Sequence, residues 1–229
     1  MHVPDGFLDA PTSVGTAVVA GSVVALSLAR ASRRELDERT APLAGLVAVF
    51  VFAAQMVNFP VGAGTSGHLI GAVLAAVLVG PATATLCLTV VLGVQAFLFA
   101  DGGVTALGTN VLLMGVVAVW VGYGVARGVL ALLPTRPGSL PVAAAVGSLV
   151  SVPAAAVTFV GLYALGGAAP IPLGALVTAM GVWHLVIGLG EAVITCLAVG
   201  SIVAARPDLV HLARGRMPAL ELRATEPVA

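Results

Sequence analysis

Apolar residues along this chain come in unbroken runs. The stretches 46–54 and 112–121 are apolar at every position apart from Gly115, with no alternation of period two. Strands of a membrane barrel would alternate lipid-facing and lumen-facing residues, so the pattern predicts helices. Apolar segments fall at 10–29, 41–57, 68–79, 82–100, 104–126, 140–165 and 173–205. A helix needs about 20 mostly apolar residues to cross the hydrocarbon layer. The expected fold class is therefore all-α: a polytopic membrane bundle of about seven transmembrane helices.

The segment 68–79 is the exception, covering only about 18 Å at 1.5 Å per residue. It ends at Gly80-Pro81, a turn signal. The preceding loop, Asn58 to Gly67, is expected to dip into the membrane and place His68 below the outer surface. Such irregular backbone is tolerated where protein or a wet cavity shields it.

Composition supports this reading. Of 229 residues 59% are hydrophobic and 9% charged, with 10 basic and 10 acidic side chains, and the mean hydropathy is +1.12. A typical soluble domain carries about 25% charged residues, so soluble enzymes, disordered regulators and nucleic-acid binders are poor fits. Every basic residue is Arg, in three groups: Arg30, Arg33, Arg34 and Arg39; Arg127 and Arg136; Arg206, Arg214, Arg216 and Arg223. Placing all three groups in the cytoplasm puts the N-terminus outside and the C-terminus inside. The outer loops, near 1–9, 58–67, 100–104 and 166–172, then contain no Lys or Arg.

No basic segment precedes the first apolar run, so the start is expected to be retained rather than cleaved. Cys87 and Cys196 both lie in apolar runs and read as small buried hydrophobes. Ala17, Gly21, Ala25 and Ala29 give the first span a smooth face for helix packing.

Candidate chemistry gathers on the outer side. His2 follows the amino terminus directly. A terminal amine, the deprotonated amide nitrogen of residue 2 and its imidazole can chelate one divalent ion through a five-membered and a six-membered ring. Such a planar nitrogen set suits Ni²⁺ or Cu²⁺, and also Co²⁺. His68, after the Gly-rich loop, is the candidate fourth donor. His184 and Glu191 lie two turns apart on one face of the last span; they read as an interior packing pair or as support for an ion site. Asn58, Ser66, Gln95 and Asn110 are polar candidates for orienting a metal-bound imidazole, and Gln55 belongs with them. Asp101-Gly102-Gly103 reads as an outer turn, and His211 as a solvated residue. There is no Walker A sequence, so energy coupling would come from partners.

Four stretches carry a resemblance: Met1 to Leu8, Asn58-Phe-Pro through Gly-Thr-Ser-Gly-His68, Asp101 to Asn110, and His184 to Glu191. Together they resemble the CbiM/NikM family, the membrane substrate-capture (S) subunits of cobalt and nickel energy-coupling-factor transporters. Val61-Gly62-Ala63-Gly64 departs from the family's more usual Pro-Gly-Gly-containing loop.

The resemblance implies a seven-helix bundle with the N-terminal segment tucked in from outside. It also implies a four-nitrogen site made by Met1 nitrogen, His2 nitrogen and ring, and His68, with Ni²⁺ or Co²⁺ as transported substrate. The partners it implies are a membrane coupling (T) subunit, a pair of ATPase subunits and in some cases a small auxiliary membrane subunit, in a bacterial or archaeal plasma membrane. On this reading residues 1–205 form one transmembrane metal-capture domain and 206–229 a cytoplasmic tail. Two other classes stay open from the residues alone: an intramembrane enzyme using His184 and Glu191 as base and acid, and a passive ion channel.

Overall fold

A computed structural model describes residues 2–38, 40–62 and 65–216. Seven helices run through them: α1 (Ala10–Arg34), α2 (Thr40–Gln55), α3 (Ala72–Val79), α4 (Pro81–Leu98), α5 (Leu107–Leu132), α6 (Ser139–Gly166) and α7 (Leu173–Ala205). All but α2 and α3 are long and apolar enough to cross a membrane, as the apolar runs predict. Their outward faces are apolar, with Leu132 87% and Leu165 83% exposed. Lipid rather than water suits such a surface.

Local chemistry sets the boundaries. Asp9 caps α1 by accepting from the Thr12 amide at 2.9 Å, and Asp37 does the same for Thr40 ahead of α2 at 2.7 Å. α3 and α4 meet at Gly80, whose φ of +95° is open to glycine. A Cβ there would lie 2.6 Å from the Glu35 carboxyl carbon. That carboxylate is buried and accepts from the Ala82 and Thr83 amides at 3.3 and 2.7 Å. It thus satisfies the otherwise orphaned donors at the start of α4.

Every residue of α3 is buried, so this short helix is a central post and not a lipid-facing span. α5 and α6 close around it: a Cβ on Gly122 would sit 2.2 Å from Val73 Cγ2, and one on Gly147 would sit 2.6 Å from the Gly122 carbonyl. Two local features differ from a purely α-helical reading. The loop before α3 contains an antiparallel hairpin, β1 (Phe59–Gly62) and β2 (Thr65–Gly67), with an irregularity between Pro60 and Gly62. Within α5, Val111–Val117 is wound as π-helix. The segment after α7 folds back in two short turns, Pro207–Leu209 and His211–Ala213, and buries Val210 and Leu212. His211, expected to be solvated, is half-buried.

Candidate metal centre

The N-terminal segment enters the bundle between α1, α5 and the α4–α5 loop. Asn110 holds it by both backbone groups of Val3: the Val3 amide donates to Asn110 Oδ1 at 2.8 Å, and Asn110 Nδ2 donates to the Val3 carbonyl at 3.1 Å. The Gly103 amide also donates to the Val3 carbonyl, at 2.9 Å. Further along, Asp5 accepts from the Thr105 amide and hydroxyl, and these bonds hold its carboxyl below the usual range. The Ala168 amide donates to the Phe7 carbonyl at 3.0 Å, while the Phe7 ring packs against Phe159 and Tyr163. Val3, Phe7 and Leu8 are all buried. The segment is therefore anchored by backbone pairing and by apolar burial.

This anchoring delivers His2 to His68. The two imidazoles stack with centroids 4.5 Å apart and planes 21° apart, and both residues are buried. His68 Nδ1 lies 2.8 Å from the Leu69 carbonyl. Since a carbonyl only accepts, Nδ1 carries the proton and Nε2 keeps its lone pair. His68 Nε2 is buried and without a hydrogen-bond partner among the described residues. A free, desolvated imidazole nitrogen whose sister nitrogen is fixed by a carbonyl is the arrangement of a metal-ligating histidine.

His2 Nε2 lies 3.2 Å from Gln95 Oε1. Its Nδ1 lies 3.1 Å from Asp101 Oδ1, within ion-pair distance but off the geometry of a hydrogen bond, so that it too counts as unpaired. The imidazole beside it holds the Asp101 carboxyl below the usual range. Asn58 Nδ2 reaches Asp101 Oδ2 at 3.4 Å. An open cleft of about 480 Å3, lined by His2, Asn58, Ser66 and Asp101 among others, leads to this point.

Glu191 lies one layer further in. Its two oxygens accept from the Ile70 and Gly71 amides at 2.7 and 3.0 Å, and Gln55 Nε2 donates to the Ile70 carbonyl at 2.8 Å. The pair thereby fixes Ile70 and Gly71, two of the three residues that link His68 to α3. His184 Nδ1 bonds to the Met180 carbonyl of its own helix at 2.9 Å, which leaves a buried Nε2 without a partner. His184 and Glu191 each bond to backbone groups, and among the described residues no hydrogen bond joins the two.

Of the expected site residues, His2, His68, Gln95, Asn58, Ser66 and Asn110 converge on the cleft or on the segment that feeds it, while His184 and Glu191 lie behind it. Met1 lies outside the described residues. Among the described residues no group of three His, Cys, Asp or Glu side chains is placed to hold a metal ion. Sequence reading passed over Asp101, taking it for a turn residue. Its signal was that few carboxylates fall in the outer loops.

Residues 2–209 match the family model described as CbiM, cobalt uptake substrate-specific transmembrane region. A Haloquadratum walsbyi protein named for metal transport is 40% identical over 92% of this chain and 93% of its own length. The fused nickel transport protein NikMN of Rhodobacter capsulatus is 37% identical over 96% of this chain and 66% of its own length. The crystal structure of a truncated transition metal transporter superposes with a TM-score of 0.82 at 34% identity, covering 89% of this chain and 99% of the other.

Proposed function

The chain belongs to the CbiM family and is a multi-pass membrane protein of cobalt and nickel transport, and from that premise we propose that it is the substrate-capture subunit of an energy-coupling-factor importer. It takes Ni²⁺ or Co²⁺ from outside into a four-nitrogen site, with the Met1 amine, the His2 amide nitrogen, the His2 ring and the His68 ring as donors. A coupling subunit and a pair of ATPase subunits then drive transfer, in some assemblies with a small auxiliary subunit. On this reading residues 1–205 form the capture domain and 206–229 a cytoplasmic tail, of which 217–229 lie outside the described residues.

The observation that carries this reading is the meeting of His2 and His68, each with a buried ring nitrogen lacking a hydrogen-bond partner. Chelation from the terminus uses His2 Nδ1, because that nitrogen closes the six-membered ring with the residue 2 amide. Gln95 on Nε2 then fixes the ring's tautomer. The Asp101 carboxylate beside Nδ1 supplies negative charge where a cation would be received. Stacked rings have nearly parallel planes, so an ion in the plane of one does not lie in the plane of the other. Joint ligation therefore requires one imidazole to turn.

Calorimetry on protein with a native N-terminus tests the site. Wild type should bind one ion per chain. His2→Ala, His68→Ala and a chain extended ahead of Met1 should each lose tight Ni²⁺ and Co²⁺ binding. Undiminished affinity in the extended chain would exclude the terminal amine as a donor.

A further inference from the structure

The end of the bundle away from His2 carries a second polar cavity, of about 330 Å3. Its walls come from elements far apart in sequence: Arg34 at the end of α1, Tyr123 and Arg127 on α5, and His211, Arg214 and Arg216 after α7. Among the described residues no carboxylate lines it, and the buried Glu35 acts on its Tyr123 and His211 walls from outside the lining. Arg214 is partly engaged outside the cavity, 3.1 Å from Thr40 Oγ1 and 3.9 Å from Asp37 Oδ2. Among the described residues Arg34, Arg127 and Arg216 make no ion pair. His211 adds a buried Nδ1 that lacks a hydrogen-bond partner, on a ring 6.3 Å from that of Tyr123. A concave group of guanidiniums with an unsatisfied ring nitrogen and no carboxylate among its described walls favours an oxyanion able to accept several forked hydrogen bonds at once.

The surroundings say which oxyanion. Arg127 falls on the exposed stripe of α5, whose positions recur every three or four residues as Val121, Gly124, Arg127, Gly128 and Leu132. Val121 is 39% and Leu132 87% exposed, so the stripe is apolar on both sides of the cation. A phosphate seated among the arginines would leave its alkyl chains running along that stripe. A free inorganic anion would gain nothing from it.

We propose that this cavity is a binding site for the phosphate headgroup of an anionic phospholipid. The site joins α1, α5 and the segment after α7, so a bound headgroup would tie that segment to the bundle. It is separate from the metal centre, and its test does not depend on metal binding.

The test uses full-length protein in a neutral detergent, with native mass spectrometry and thermal melts in the presence of phosphatidylglycerol, phosphatidylcholine or inorganic phosphate. Wild type should retain phosphatidylglycerol and melt higher with it, with little response to phosphatidylcholine or phosphate. Arg34→Gln combined with Arg127→Gln should weaken retention by roughly tenfold or more, whereas Arg33→Gln, outside the cavity, should behave as wild type. The Arg34→Lys and Arg127→Lys pair, which keeps charge without the fork, should fall between. Wild-type helical circular dichroism and a wild-type melt in lipid-free detergent would show that the double Gln variant is folded.

Equal phosphatidylglycerol retention in the double Gln variant would overturn the site. A stabilisation by inorganic phosphate equal to that by the lipid would overturn the lipid assignment. Unchanged lipid retention with loss of co-purifying membrane proteins would overturn it in favour of a protein interface.

Discussion

A few side chains hold the metal centre together by satisfying backbone groups. Glu191 shows the principle: its carboxylate accepts from the buried Ile70 and Gly71 amides. Glu191→Ala would leave both donors unsatisfied, at about 1–3 kcal/mol each. We expect a lower melting temperature together with weaker metal binding, and a smaller loss in Glu191→Gln, which keeps one acceptor oxygen. Wild-type melting and affinity in the Ala variant would show that the loop does not depend on this residue. Acid should act on the site in two separate stages. Asp5 and Asp101 are held below the usual carboxyl range by Thr105 and by His2 respectively. A carboxylate depressed in the folded state stabilises above its unfolded value, about 3.9, and loses that contribution as pH falls through its lower folded value. Amine, amide and imidazole donors must give up their protons to bind a metal. Metal affinity should therefore fall on acidification before the depressed carboxylates are protonated, while residues 3–9 stay docked. Calorimetry and amide exchange on the same samples would separate the two, and faster exchange in step with the lost affinity would contradict this order. His2 was legible as a candidate because its chelating chemistry follows from its position in the chain. That of Asp101 was not, because its partner His2 is brought to it only by folding.

At the scale of elements, close approaches matter more than helix propensity. Gly103 lies where a Cβ would be 2.3 Å from the Asp5 amide nitrogen, and its own amide anchors Val3. Gly103→Ala should push the N-terminal segment off its seat. Overpacking of this kind costs about 1–3 kcal/mol, so metal affinity should fall about tenfold or more while the helical circular dichroism stays as in wild type. An affinity equal to wild type would mean that the segment can shift without disturbing His2. Helix limits were largely legible, since apolar runs end at Gly80-Pro81, at Asp101-Gly102-Gly103 and near Arg clusters. The hairpin of β1 and β2 was not, since its strands are short and its pairing includes an irregularity. Nor was the π-helical stretch of α5, which begins directly after Asn110. Such stretches are tied to packing and to functional sites rather than to residue type.

Across the whole molecule, the cavity of Arg34, Arg127, Arg214 and Arg216 and the cleft at His2 lie at opposite ends of a bundle whose first helix alone is about 37 Å long. From the positive-inside rule we expect the cleft to face outside. Cysteine accessibility in intact cells gives the check. Ala168→Cys, exposed beside the N-terminal segment, should react with a membrane-impermeant maleimide, and Thr135→Cys, exposed in the α5–α6 loop, should not. The reverse pattern would invert the orientation and place the metal site on the inner face. The native Cys87, being buried, and Cys196, partly so, should contribute little background.

Apolar runs, with the near absence of charge, were enough to determine a helical membrane bundle and its approximate spans, because each depends on local composition. Tertiary structure alone decided that α3 is a buried post, that Asn110 and Gly103 bind the backbone of Val3, and that Asp101 faces His2. It also decided that three separate segments gather their arginines around one cavity. These are contacts between residues remote in sequence, set by which backbone groups are left to be satisfied once the helices have packed.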